Sequence, residues 1–325
     1  MNRAPGRLST PPGLLRGWQT PKRKLMKRIV VCGGSGYIGQ ALVRRLVARG
    51  DYVTILSRGG QGLGYNPTRH TWNPYVLSEW TKTFDGVDTV VNLAGERAVG
   101  VRFTEESKRR LRDSRIVVTQ NVARGILETT VKPRLLLNVS AIGFYGDHPA
   151  PERIDETCGP GADFLARLSV DWEAASDAVV AAGVRVVNPR MGVVFGPGGG
   201  ALETMALPFK LFVGGKLGTG KQGISWIHLD DAVSALMFCI DDAAMPQKVN
   251  LCSPNPATSA EVSAAIGQAL HRPSWFRVPA RGLKALFGEG AEPILTGQFA
   301  LPGVLQERGF EFGHAAVAEA IAASL

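Results

Sequence analysis

Lys27-Arg28-Ile29-Val30-Val31-Cys32-Gly33-Gly34-Ser35-Gly36-Tyr37-Ile38-Gly39-Gln40-Ala41-Leu42-Val43-Arg44-Arg45-Leu46 is the stretch that decides the fold. The apolar, β-branched run from Ile29 to Cys32 reads as a buried strand. Glycines follow at 33, 34, 36 and 39, and apolar residues at 38, 42, 43, 46 and 47 then fall at helical spacing. The order is strand, glycine turn, helix. In that order the early glycines permit a tight turn and let backbone amides approach a pyrophosphate. Gly39 lets the helix lie close on the strand, and the positive end of the helix dipole faces the phosphates. A glycine triplet alone is weak evidence; the strand-turn-helix context is what gives it weight. Gly33, Gly34, Ser35, Gly36, Tyr37, Ile38 and Gly39 are therefore the first candidate cofactor-binding residues.

Working outward, Tyr52 to Ser57 reads as a second strand. Sites for NAD place an acid about 20 residues past the glycines, to bind the ribose 2′-hydroxyl. Here that place holds Ser57-Arg58 followed by Gly59-Gly60. An acid would repel a 2′-phosphate, whereas an arginine pairs with it. The expected cofactor is NADP, with Ser57 and Arg58 in its site; the bland alternative is a solvated surface arginine. A Gly/Asn/Pro loop over 59–68 leads to a short third strand ending near Thr71-Trp72-Asn73, then a short helix over 77–84. Asp88 to Glu96 reads as a strand ending in a small-residue turn, Asn92-Leu93-Ala94-Gly95-Glu96. Such a turn at a strand's carboxyl edge lies where a dinucleotide crosses the sheet. Backbone groups of Asn92, Ala94 and Gly95 are placed to contact the ribose, and Glu96 either faces the nicotinamide or caps a neighbouring element.

A long helical pattern runs from Thr104 to Thr130, opened by Thr104-Glu105-Glu106 as a capping signal. The strand Pro133 to Ser140 runs into Ala141-Ile142-Gly143-Phe144-Tyr145-Gly146. Ser140 and Tyr145 bring hydroxyls to the edge where α/β active sites form. Asp163 caps a helix expected to reach about Ala182, and Val184 to Arg190 is the next strand. The loop around Gly196-Pro197-Gly198-Gly199-Gly200 either closes over a ligand or merely connects. A second glycine-rich loop over 214–223 lacks the spacing of a P-loop.

The alternation of strand and helix to about residue 190 argues for a doubly wound parallel sheet, with a smaller later domain and a substrate between the two. The expected division is a disordered basic extension over 1–25, a Rossmann domain over 26–190 with sheet contributions to about 253, and a substrate-side and C-terminal part over 191–325.

The formal charge of +9 does not signal a nucleic-acid partner. Residues 1–28 hold eight of the 37 basic residues and no acid, which leaves 29 basic against 28 acidic residues in the body. The tail reads as a disordered extension; a transit peptide or polyanion-binding segment is the functional alternative. No apolar run approaches the roughly 20 residues of a membrane helix. Four cysteines without a Cys-x-x-Cys pair suit reduced thiols in the cytoplasm. The five histidines show no metal-ligand spacing, and no metal is expected.

As a set, several motifs resemble an atypical group of the extended short-chain dehydrogenase/reductases. These are NAD-dependent epimerase/dehydratase-like proteins with a small extra C-terminal domain. The motifs are the turn Gly33 to Gly39, Asn92 to Glu96, Ser140 to Gly146, Asp163 to Arg167, Trp172-Glu173 and Ser225-Trp226-Ile227-His228-Leu229-Asp230-Asp231. The region from Gly290 to Phe312 is similar to the extra domain. The resemblance covers roughly residues 27 to 322. It implies a nucleotide-sugar-epimerase-like fold and an NADP site. In the wider family a serine or threonine and a Tyr-x-x-x-Lys pair carry catalysis, the tyrosine moving the proton and the lysine lowering its pKa. Ser140 matches the first position, but the pair's positions are Leu165 and Ser169. Tyr145 is the substitute proton donor this leaves. The resemblance implies an oxidoreductase or epimerase acting on a small carbonyl, alcohol or sugar-like substrate. The alternative is a non-catalytic NADP(H) sensor or scaffold.

Overall fold

Ile29 and Val31 turn their side chains to one face of the first strand, Val30 and Cys32 to the other, and all four are buried. A strand apolar on both faces needs cover on both sides, and the structure supplies it. The computed structural model describes residues 26–59, 65–149 and 151–325. The basic extension expected over 1–25 and the centre of the loop expected over 59–68 lie outside the described residues.

Seven parallel strands form the main sheet: β1 (Arg28–Cys32), β2 (Tyr52–Ser57), β3 (Thr68–Thr71), β4 (Thr89–Asn92), β5 (Leu135–Asn138), β6 (Arg185–Met191) and β7 (Lys248–Leu251). Their spatial order is β7-β6-β5-β4-β1-β2-β3, with the short Ser140–Ala141 strand also pairing β6. The order reverses between β1 and β4, which is where open α/β sheets bind their ligands.

On one face, Leu42 and Leu46 of α1 (Tyr37–Ala48) and Val233 and Leu236 of α6 (Leu229–Asp241) cover Ile29, Val31 and Val91. On the other, Val118, Val122 and Ile126 of α3 (Ile116–Leu127) join Trp80 and Phe84 over Val30, Cys32 and Val90. A separate, smaller core gathers Phe195, Phe209 of α5 (Gly200–Lys210), Trp226, Ile266 of α7 (Ser259–Ala269) and Ile321.

Two expected helices are shorter than their patterns. The run from 104 to 130 divides into α2 (Glu105–Asp113) and α3. Thr104 caps α2 in a capping box completed by Ser107. At the break, the Ser114 hydroxyl donates to Leu111 O at 3.1 Å and accepts from Glu96 N at 3.2 Å, a local competitor to the helical ladder. The helix opened by Asp163 is α4 (Phe164–Ala174), and it ends at Ala174 rather than near 182. There the Ser176 hydroxyl bonds Glu173 O at 2.7 Å, and a 3-10 turn follows over Asp177–Val179. Among the described residues no helix is long and apolar enough to cross a membrane.

Candidate functional site

The glycine turn after β1 is built by close backbone approach. Gly33 adopts φ +79°, and a Cβ there would lie 3.0 Å from Leu93 C and 3.1 Å from Ala94 N. The turn therefore rests directly on the small-residue turn after β4. A Cβ on Gly39 would collide with the Gly33 carbonyl oxygen and stand 2.8 Å from Gly34 Cα, so α1 begins against the turn itself. Ser35 and Gly36 are exposed and Tyr37 and Ile38 half-buried at the N-terminus of α1. This leaves a helix N-terminus and its orphan amides open to an anion.

At the end of β2, Ser57 is buried and its hydroxyl donates to Gly59 O at 3.0 Å, while Arg58 is exposed. The charges of Arg58 and Glu96, from separate segments, both act on the Tyr75 hydroxyl. Burial raises the Tyr75 pKa, as do Glu96 and Asp113, and Arg58 lowers it. Tyr75 carried no signal in the sequence, because only the chain's return past β3 brings it there.

Asn92 works differently from the expectation. It is fully buried, its carbonyl accepts from Val139 N at 3.0 Å, and its side chain accepts from Ala94 N at 3.2 Å. Its Nδ2 donates to Asn138 Oδ1 at 2.9 Å and Thr119 Oγ1 at 3.1 Å. Asn138 in turn donates to Asn188 Oδ1 at 3.3 Å. One rung of β4, β5 and β6 is thus a row of asparagines, with Trp172 Nε1 donating to Thr119 Oγ1 at 3.1 Å. This row supports the Leu93-Ala94-Gly95 turn from behind. The Asn92 side chain and one acceptor position of its carbonyl are thus spent inside the protein, which gives the residue a supporting role.

Gly95 is exposed beside the guanidinium of Arg115, and Arg115 Nη2 donates to Glu96 O at 2.7 Å. Arg115 stacks over Trp172 at 5.0 Å, and burial pulls its pKa down to about 10 despite Glu96. The Glu96 carboxylate lies 3.8 Å from Arg110 Nε.

Ser140 is 2% exposed and its Oγ has no hydrogen-bond partner among the described residues. A buried hydroxyl left unmade costs about 1–3 kcal/mol, which marks the atom as one available to a ligand. Leu165 Cβ stands near Gly143, and the Ser169 hydroxyl is spent on Leu165 O at 2.8 Å. Neither residue offers an acid or base.

Tyr145, unlike Ser140, has its hydroxyl engaged inside the protein. It is fully buried, its hydroxyl donates to Asn250 Oδ1 at 2.9 Å and accepts from Arg190 Nη1 at 3.0 Å. Burial pushes its pKa up to about 12 against the opposing pull of Arg190. Arg190 is itself fully buried, lies 3.4 Å over the Phe144 ring, and forms a two-pronged pair with Glu173 of α4 at 2.8 and 2.9 Å. Asn250 Nδ2 continues to Leu301 O at 2.9 Å. The hydroxyl expected to deliver a proton is committed to the junction between α4, β6, β7 and the C-terminal segment.

Two of the five histidines, far apart in sequence, meet at one place. His228 caps α6 and its ring lies 3.8 Å from that of His314, with Asp230 alongside.

Sheet order, glycine turn and paired loops define a dinucleotide-binding α/β protein of the Rossmann type. The chain belongs to the NAD dependent epimerase/dehydratase family, whose model matches residues 29–252. A domain of unknown function, DUF1731, matches residues 278–324. The epimerase family protein Mb2239 of Mycobacterium bovis is 38% identical over 298 residues, covering 90% of this chain and 96% of that protein. The chloroplastic SDR39U1 homolog of Arabidopsis thaliana is 36% identical over 300 residues, covering 91% and 86%. The crystal structure of human epimerase family protein SDR39U1 (isoform 2) with NADPH superposes with a TM-score of 0.79 at 32% identity, covering 91% of this chain and 98% of that one.

Proposed function

We propose that this protein binds NADP(H) and uses it for hydride transfer with a small carbonyl, alcohol or sugar-like substrate. Arg58 at the end of β2 is the observation that carries the cofactor choice. It puts a charge able to fork onto a 2′-phosphate where an NAD site holds a repelling acid. The cradle fits the group: Gly33, Gly34 and Gly39 leave no room for side chains, and the amides at the start of α1 are oriented for a pyrophosphate. The likeness to a human relative solved with NADPH supports the same choice.

The nicotinamide, when bound, supplies or accepts the hydride. The chain's own contribution is to hold the substrate oxygen. Ser140 Oγ, buried and unpartnered, is the donor that would orient it. Glu96 and Arg115 set the loop over the nicotinamide side, and Arg115 also brings a half-buried positive charge there. Tyr145 takes the part of a positioning residue, holding Arg190 and Asn250.

One observation favours a second reading, a non-catalytic NADP(H) sensor or scaffold. Leu165 and Ser169 replace the proton-transfer pair, and the Tyr145 hydroxyl is enclosed. Calorimetric titration with NADPH and NADH tests the cofactor assignment, and selective binding of NADPH is expected. Absence of binding by either removes the reading. Following reduced-nicotinamide absorbance against a panel of aldehydes, ketones and ketosugars then separates the two: consumption marks the enzyme, and tight binding without consumption marks the sensor.

A further inference from the structure

His228 ends the strand Trp226–His228, whose partner is Val193–Phe195, and its side chain caps α6. It is 3% exposed. Nδ1 accepts from Asp230 N at 3.2 Å and lies 3.7 Å from Asp230 Oδ2. Nε2 is buried without a hydrogen-bond partner among the described residues. His314 arrives from the far end of the chain and lays its ring 3.8 Å from that of His228, tilted by 36°. One donor atom from each of His228, Asp230 and His314 falls within 4.8 Å of the others.

We propose that these three side chains form a binding site for a borderline divalent cation of the zinc, cobalt or nickel kind. Imidazole with one carboxylate is the ligand set such ions take.

A tetrahedral zinc ion at about 2.0–2.1 Å from its nitrogens sets donors roughly 3.3 Å apart. Asp230 Oδ2 stands 3.7 Å from His228 Nδ1, near that spacing, and ligation through Nδ1 would replace the bond that it accepts from Asp230 N. Asp230, whose side chain is 67% exposed, and the half-buried His314 are the members free to close on the ion. The backbone that carries His314 is held in place. Both oxygens of Asp231 accept from this segment, from Gly313 N at 2.8 Å and His314 N at 2.9 Å. That carboxylate fixes the backbone from which the His314 side chain projects. Three protein ligands leave a fourth position for water at the solvent side. The ion would join the epimerase-type domain, through His228 and Asp230, to the DUF1731 segment, through His314. The site is independent of the NADP reading.

The test is a titration of the chelator-stripped full chain, without nucleotide, first with cobalt(II) followed by visible absorbance and then with zinc(II) by calorimetry. One ion per chain with the intense spectrum of four-coordinate cobalt is expected, displaced by zinc. His314→Ala and Asp230→Asn should each weaken binding by at least roughly tenfold, the loss seen even for outer-shell partners. His148→Ala, which removes a surface His148–Glu152 pair, should leave it unchanged. Asp230→Asn alters an exposed side chain and keeps the test valid if His314→Ala perturbs folding. A weak six-coordinate spectrum, no binding at all, or unchanged affinity in both ligand variants overturns the proposal.

Discussion

Arg58 carries the decision between two cofactors on a single side chain. Its guanidinium is exposed at the carboxyl end of β2, and its charge and that of Glu96 both reach the Tyr75 hydroxyl. A charged hydrogen bond contributes about 1.5–3 kcal/mol, so Arg58→Ala should weaken NADPH roughly ten- to hundredfold. NADH has no 2′-phosphate and should keep its affinity. Parallel calorimetric titrations of both nucleotides check this, and equal losses would show that Arg58 serves the fold rather than the phosphate. Tyr145 shows the opposite situation, where residue type misleads. A tyrosine hydroxyl at the edge of a Rossmann sheet has the chemistry of a proton donor. Only its partners, Arg190 and Asn250, reveal that the hydroxyl is already occupied inside the protein.

Elements were legible where one local period decides them, and illegible where distant pairing does. The order β1, glycine turn, α1 follows from apolar spacing within twenty residues, and its side chains pack on both faces as that spacing requires. The asparagine row is different. Asn92, Asn138 and Asn188 each end an apolar run, but they share a rung only once β4, β5 and β6 pair in parallel register. The break at Ser114 depends on Glu96 N, which comes from another loop. The His228–His314 contact joins two segments that no spacing rule relates. Helix α4 belongs to this second class. Its Glu173 meets Arg190 with side chains 8% and 1% exposed, a pair legible in neither segment alone. Removing one partner of a buried ion pair strands the other charge, at a cost of about 3–5 kcal/mol. Glu173→Ala should therefore lose stability of that order in denaturant unfolding. The double variant Glu173→Met with Arg190→Met should recover much of it, since no charge is left unpaired. A double variant as unstable as the single would assign the loss to packing of α4.

At the scale of the whole molecule, the junction around Tyr145 ties the sheet to the C-terminal segment. Tyr145 reaches Asn250 on β7, Asn250 reaches Leu301, and Glu156 accepts from both Asn250 N at 2.8 Å and Val304 N at 3.3 Å. Ser225 adds a donor to Gln298 O at 2.8 Å and an acceptor for Ala300 N at 2.9 Å. Opening this junction exposes groups that titrate on the alkaline side. Burial pushes Tyr145 to about 12, above the value near 10 of an unfolded tyrosine. The folded state therefore holds the phenolic proton more tightly than the unfolded chain. The stability linked to that proton is complete below about pH 10 and is lost as the pH rises through about 12. The stability linked to the buried Cys239 thiol, likewise raised to about 12, starts to be lost at a lower pH, near 9. Thermal midpoints should thus hold level up to about pH 9 and then fall. Tyr145→Phe should start lower at neutral pH, because Arg190 and Asn250 lose a partner. Between about pH 10 and 12 it should fall less steeply than the unaltered protein, lacking the phenolic proton. Identical slopes for the two proteins in that window would mean that the junction opens before Tyr145 titrates, and that the C-terminal segment separates from the sheet as an early step in alkaline unfolding.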